Sequence, residues 1–96
     1  MPRLIWTEAA LSDLDRLYGF LDEKSTRAAC VAIETIRLGI KVLGRNPEIG
    51  RPVENMLPGF REKVIGFGDG AYVALYHYDG KRVTILAIRH GREAGY

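Results

Sequence analysis

The sequence has little of what characterises secreted and membrane proteins. Its 96 residues contain a single cysteine, Cys30, so no disulfide can form within the chain. No apolar run is long enough for a signal peptide or a transmembrane helix. We therefore expect a cytoplasmic protein that does not contact a membrane.

Metal ligands and phosphate-binding motifs are also scarce. No cluster of cysteine and histidine has the spacing of a metal site, and Cys30 falls within a predicted helix as a small core or interface residue. The glycine-rich run G-F-G-D-G at 66–70 does not open a helix, as a phosphate loop would. We expect neither a metal nor a cofactor.

Net charge is small, at +2, but it is unevenly distributed. Residues 1–36 hold four Lys/Arg and six Asp/Glu, whereas residues 37–96 hold ten and six. A basic C-terminal half beside an acidic helix predicts an anionic partner at one surface. The alternative is a solvated, weakly basic surface with no specific partner.

Two amphipathic helices are predicted in the first half of the chain. Thr7 is a helix N-cap, and apolar residues recur at one-face spacing to residue 21, which predicts a helix over 7–23 with Asp13, Asp15 and Glu23 in solvent. Ser25 or Thr26 caps a second helix that ends with Gly44 in the C′ position. Its apolar face is predicted to contain Ala29, Ile33, Ile36, Ile40 and Leu43, broadened by Val31 and Leu38.

Strands are predicted at both ends of the chain. Leu4–Trp6 is a short edge strand, and Phe60–Phe67 is a strand in which Arg61 and Lys63 share a face. The runs 71–78 and 83–88 form a hairpin around Asp79-Gly80, a pair typical of a type I′ turn. Residues 46–59 contain three prolines and two glycines, which predicts a surface loop.

These elements follow one another in the order β-α-α-β-β-β within a single domain, residues 1–96. Short turns between successive strands predict an antiparallel sheet, and a short link between the helices predicts a helical hairpin packed on one face. The predicted class is therefore α+β. We expect the other face of the sheet to be exposed and to carry the basic residues.

Five motifs together resemble the RelE/ParE superfamily of bacterial type II toxins. They are L-I-W-T-E-A-A-L-S-D-L, N-P-E-I-G-R-P, P-G-F-R-E, Y-V-A-L-Y-H-Y and V-T-I-L-A-I-R-H-G-R-E, which follow in order along nearly the whole chain. The resemblance implies the same β-α-α-β-β-β fold. It also implies a cognate antitoxin that wraps and neutralises the toxin, in a toxin–antitoxin hetero-oligomer or beside a homodimer.

The resemblance leaves the cellular target open between two branches. ParE-like members inhibit DNA gyrase without nuclease chemistry, and the style of the motifs favours this branch. RelE-like members are endonucleases that cleave mRNA on the ribosome. A third alternative is a toxin homologue whose only remaining activity is antitoxin binding.

Cleavage of RNA by its 2′-hydroxyl would need a base, cations and an acid. By resemblance Arg61 matches an arginine used by RelE-like members, and His90 lies near the C-terminal position of their catalytic tyrosine or histidine. Contacts to the target or the antitoxin are predicted for Arg61, Lys63, Arg82, Arg89, Arg92 and Tyr96. The structural alternatives are a solvated strand face for Arg61 and Lys63, a strand-end histidine at 90, and packing roles for the tyrosines at 72, 76 and 78 and for His77.

Overall fold

Two helices cover one face of a five-stranded sheet in the computed structural model, which describes residues 2–92. The elements are β1 (Arg3–Trp6), α1 (Glu8–Asp22), α2 (Thr26–Lys41), a 3₁₀ turn (Val42–Gly44), β2 (Arg51–Pro52), β3 (Phe60–Phe67), β4 (Gly70–Tyr78) and β5 (Arg82–His90). The predicted α+β class and the helical hairpin are confirmed.

The sheet has the strand order β1-β5-β4-β3-β2. Three of its strand pairs are antiparallel, but β1 and β5 are parallel. The prediction of a wholly antiparallel sheet is wrong at this edge, because two helices rather than a tight turn follow β1 and such a crossover permits parallel pairing. The loop predicted over 46–59 also contains the short strand β2, which pairs with the start of β3.

The hydrophobic core lies between β4 and the helices. Alternate residues of β4 face the helices, and Tyr72, Ala74 and Tyr76 are buried there; Val73 and Leu75 are buried on the opposite face of the sheet. Around Tyr72, Ala74 and Tyr76 pack the buried residues of the other elements: Ala10, Leu14, Leu17, Ala32, Ile36, Ile40, Leu43, Ile65, Val83, Ile85 and Ile88. Each large aliphatic side chain of this set contributes about 1.5–3 kcal/mol through burial.

The N-terminus of α1 is joined to β5 through Thr7. The Thr7 hydroxyl oxygen accepts a bond from the Ala10 amide, as the N-cap prediction required, and donates to the Ile85 carbonyl at 2.7 Å. One side chain therefore caps the helix and fixes its position against the sheet.

Asp13 also connects α1 to β5, so its predicted place in solvent is wrong. β1 pairs with β5 only as far as Ile85, which leaves the outer side of Ile88 without a neighbouring strand in the described part of the chain. The Asp13 carboxylate accepts a bond from the Ile88 amide at 2.8 Å, and Arg16 donates to the Ile88 carbonyl at 3.4 Å. Two side chains of the helix thus take the place of a strand.

The apolar face of α2 is narrower than the sequence predicted. Val31 and Leu38 were expected to broaden the buried face, yet they are 47% and 59% exposed. They lie on the flank of the helix turned away from α1, where the sheet does not reach them. No helix among residues 2–92 is long and apolar enough to cross a membrane.

Two predicted turns have a different geometry. Gly44 was expected at a helix C′ position with positive φ, but the helix tightens into the 3₁₀ turn instead and Gly44 is not among the positive-φ residues. In the β4–β5 hairpin only Gly80 has positive φ, whereas the predicted type I′ turn needs positive φ at both central residues. Asp79 accepts bonds from the amides of Arg82 and Lys81, which lower the pKa of its carboxyl to about 2.

The Asp13 contact predicts a measurable difference between two acidic residues of α1. Asp13→Ala leaves the Ile88 amide without its charged acceptor, and we expect the free energy of unfolding in urea to fall by about 1–2 kcal/mol. The matched control Asp15→Ala, at an exposed position, should change it by less than about 0.5 kcal/mol. Equal effects of the two substitutions would show that the Asp13 contact contributes nothing.

Candidate functional site

A groove of about 680 Å³ lies between the second half of α1 and one end of the sheet. We call it the α1 groove. The helix contributes Arg16, Leu17, Phe20 and Leu21 to its lining, the turn after it contributes Lys24, and the sheet side contributes Phe67, Tyr72, His90 and Arg92. It is the concave surface that the turn between the helices and the ends of β3, β4 and β5 leave open.

Aromatic rings form the walls of the α1 groove. The Tyr72 ring packs against Phe67 with centroids 5.9 Å apart and meets the His90 ring edge-on at 5.5 Å. Phe20 stands at the rim, 62% exposed, with the Lys24 ammonium 5.2 Å from its ring centroid. A large exposed aromatic ring beside a cavity is typical of a binding surface.

The charges that border the groove are cationic. Arg16, Lys24 and Arg92 lie around it, and among residues 2–92 no carboxylate lines it. Apolar walls with a cationic rim suit a peptide segment that carries apolar and acidic side chains together. The groove therefore has the shape and charge to bind an acidic, amphipathic segment of another protein.

A second cluster of polar contacts holds residues 47–50 against the other end of the sheet. Tyr76 is fully buried; its hydroxyl donates to the Pro47 carbonyl at 2.8 Å and accepts from the Gly50 amide at 2.9 Å. Arg61 donates to the carbonyls of Glu48 and Gly50 at 3.1 and 2.7 Å. We call this arrangement the loop clamp.

Gly50 is required by the geometry of the loop clamp. A Cβ atom at this position would lie 2.5 Å from the Tyr76 hydroxyl oxygen and 2.8 Å from the Glu62 carbonyl. Burial raises the pKa of the Tyr76 hydroxyl, so this group stays protonated and can donate to Pro47. The I-G-R-P motif thus has a structural explanation.

His90 lies in the α1 groove, far from the loop clamp. Its Nδ1 atom accepts a bond from the Arg92 amide at 3.1 Å, and its ring packs on Tyr72. Among residues 2–92 no group of three or more His, Cys, Asp or Glu side chains could hold a metal ion.

The two residues predicted for nuclease chemistry lie at opposite ends of the helix-facing side. Arg61 on β3 pairs with Tyr76 of β4, and His90 on β5 pairs with Tyr72 of β4. These two partners are four residues apart on β4, and β3 and β5 lie on opposite sides of it. This spacing places the Cα atoms of Arg61 and His90 roughly 16 Å apart. The Arg61 guanidinium also points to the loop clamp, away from β5. The structure does not bring the two side chains together.

The other predicted contact residues are also distributed over separate surfaces. Lys63 lies on the helix-facing side with Arg61, whereas Arg82, which pairs with Arg3, and Arg89, which pairs with Val73, lie on the opposite face. Arg82 forms an ion pair with Asp79 at 3.2 Å, and Arg92 lies in the α1 groove. Tyr96 lies outside the described residues. The expected basic patch on one exposed face does not form.

Sequence reasoning missed three residues of the α1 groove: Arg16, Phe20 and Lys24. Phe20 falls off the apolar stripe of α1 and Lys24 lies in the turn after the helix, which is why helical periodicity did not select them. An aromatic residue on the polar side of an amphipathic helix, four residues before a lysine, was the available signal.

Comparison with known proteins accounts for both the fold and the motifs. The family described as "ParE toxin of type II toxin-antitoxin system, parDE" matches residues 4–95. The chain belongs to the ParE toxin family. This ParE-family toxin is also 36% identical over 84 residues to a relative from Caulobacter vibrioides named Toxin RelE1, covering 88% of this chain and 87% of the relative.

A solved structure described as "Chromosomal ParDE TA system from P. aeruginosa" has the same fold as this ParE-family chain. The two superpose with a TM-score of 0.73 at 30% identity, over 94% of this chain and 96% of the other. The resemblance seen in the motifs is therefore confirmed. The matched residues include both the α1 groove and the loop clamp.

The loop clamp predicts that one tyrosine hydroxyl contributes far more than its neighbour. Tyr76→Phe leaves the Gly50 amide and the Pro47 carbonyl without their buried partner, so the free energy of unfolding should fall by about 1–3 kcal/mol. Tyr78→Phe is the control, because the Tyr78 hydroxyl makes an exposed 3.3 Å bond to Gly80, and a change below about 0.5 kcal/mol is expected. If both variants unfold at the same urea concentration, the clamp does not hold the loop.

Proposed function

We propose that this ParE-family toxin inhibits DNA gyrase and is neutralised by a cognate antitoxin encoded beside it. The family supplies the toxin class, and the similar structure is described as a ParDE toxin–antitoxin system. Both partners would meet the toxin in the cytoplasm.

The observation that favours gyrase inhibition over nuclease chemistry is the position of Arg61. A nuclease needs a base and a cation within contact distance of one phosphate. The Arg61 guanidinium is bonded to two loop carbonyls, and the Cα atoms of Arg61 and His90 lie roughly 16 Å apart across the sheet. An inhibitor that acts by binding a large protein needs no such pair.

The second candidate function is ribosome-dependent mRNA cleavage. It is supported by the name of the Caulobacter vibrioides relative, Toxin RelE1. Arg61 would then supply the cation and His90 the base, after a rearrangement that releases Arg61 from the loop clamp.

The two functions separate in a pair of assays with the purified toxin. We expect loss of gyrase supercoiling, or trapped cleaved DNA, with intact mRNA in a programmed ribosome assay. Codon-phased mRNA cleavage with normal supercoiling would overturn the proposal in favour of the nuclease.

Variants of the loop clamp and the groove show where any mRNA cleavage arises. A nuclease that used Arg61 and His90 would be abolished by Arg61→Ala and by His90→Ala. Tyr76→Phe is the matched control, since it releases the same loop but keeps the cation. Activity lost equally in Arg61→Ala and Tyr76→Phe would reflect the fold and not a catalytic arginine.

For the antitoxin we propose the α1 groove as the binding site. The occupant would be an extended or helical segment that places apolar side chains against Phe20 and Tyr72 and acidic side chains near Lys24 and Arg92. Such a segment would fold on binding, as is common for flexible partners.

Substitutions in the groove test this site independently of the target. Phe20→Ala should weaken antitoxin binding about 30-fold, because a buried aromatic contact at an interface is worth about 2 kcal/mol. Lys24→Glu should also weaken antitoxin binding, and the loss should be larger at low salt than at high salt. Leu57→Ala is the control, since Leu57 is 76% exposed in the β2–β3 loop outside the groove. Unchanged binding of Phe20→Ala, measured by calorimetry, would exclude the groove.

A further inference from the structure

The outer side of β3 is an unpaired sheet edge over most of its length. β2 pairs only with Arg61 and Glu62, and no other strand in the described part of the chain lies beside the remainder. The Phe60 carbonyl accepts a bond from the Val53 amide on this outer side, so by alternation the N–H and C=O groups of Val64 and Gly66 also point outward. An edge of this kind is a template for another strand.

An exposed apolar stripe lies on α2 next to this edge. Val31, Thr35, Leu38 and Val42 recur at steps of four, three and four residues, the spacing of a coiled-coil seam. The Thr35 hydroxyl donates to the Val31 carbonyl at 2.8 Å, which leaves its methyl group on the stripe. We call these four residues the α2 flank.

The centre of the α2 flank coincides with the centre of the free edge. A Cβ atom built on Gly39 would lie 2.8 Å from the Ile65 side chain, so α2 packs closely against β3 at this point. Leu38 precedes Gly39 on the flank, and Ile65 lies between the outward-pointing residues Val64 and Gly66. A single symmetry axis can therefore pass through the middle of both features.

We infer that a second copy of this chain binds here across a twofold axis that is normal to the sheet and passes beside the part of β3 that β2 leaves free. Such an axis makes both the two β3 strands and the two α2 helices antiparallel. The free parts of the two β3 strands then exchange backbone hydrogen bonds, and Leu38 packs against its own equivalent. The two sheets join into one, with all four helices on the same face.

The charges beside the α2 flank complement one another in this arrangement and favour a second copy as the occupant. Glu34 and Lys41 border the stripe seven residues apart, on either side of Leu38. Antiparallel pairing about Leu38 places Glu34 of each copy opposite Lys41 of the other, which gives two equivalent ion pairs. A parallel pairing would instead place Glu34 against Glu34. Because the α1 groove lies beside the other helix, self-association leaves it open, and the inference goes beyond the proposed function.

Sedimentation velocity of the purified full-length chain over a wide concentration range tests this interface. We expect a dimer that becomes monomeric in Leu38→Glu, because the substitution would bury a charge at the axis, with a dissociation constant raised by at least about tenfold. Leu11→Glu is the control, a similarly exposed leucine on α1, and should remain dimeric. Thermal unfolding of each variant verifies that the fold is kept.

A charge exchange tests the antiparallel orientation. Glu34→Lys and Lys41→Glu should each weaken the dimer, and the double variant should restore it. In the dimer, the amide protons of Val64 and Gly66 should exchange slowly, and they should exchange rapidly in Leu38→Glu.

Three outcomes would overturn the inference. They are a wild-type chain that is monomeric at every concentration, a dimer that Leu38→Glu leaves unchanged, and a double charge exchange that fails to restore dimerisation. A monomeric chain in which Leu38→Glu weakens antitoxin binding would assign the α2 flank to the antitoxin instead.

Discussion

The buried hydroxyl of Tyr76 is the constraint on which the arrangement of this molecule depends. A phenol in the core of the sheet must find hydrogen-bond partners there, and it finds them in the Pro47 carbonyl and the Gly50 amide. The loop that follows α2 is consequently drawn down onto the sheet, which is possible only because Gly50 has no side chain. Arg61 on β3 donates to the same loop at the Gly50 carbonyl. The arginine that was the first candidate for nuclease chemistry is therefore bonded to the loop in this structure.

The two helices turn different surfaces toward possible partners. On the α1 side the surface is concave, aromatic and cationic, which suits a flexible acidic segment. On the α2 side an apolar stripe runs along an open strand edge, which suits a rigid and self-complementary contact. The face opposite the helices carries Arg82 and Arg89. The surfaces proposed for the antitoxin and for a second copy therefore do not overlap.

The two edges of the sheet differ in how their backbone hydrogen-bonding groups are covered. Beyond β1, the edge of β5 is closed at Ile88 by the side chains of Asp13 and Arg16, which satisfy one amide and one carbonyl in place of a strand. The edge of β3 beyond β2 receives no such cover from the described residues. Proteins usually protect exposed edges because they promote association. The open edge of β3 is therefore the one where association is expected.

The sequence by itself determined the elements and the class of the fold. Thr7, Ser25 and the apolar periods define both helices, and the β-branched and aromatic runs define β3, β4 and β5, because caps and side-chain alternation act over a few residues. The motifs also identified the family. Only the tertiary structure decided the roles of single residues. Asp13, Arg61, Val31 and Leu38 depend on which distant backbone or surface lies opposite each side chain, and local periodicity carries no information about that partner.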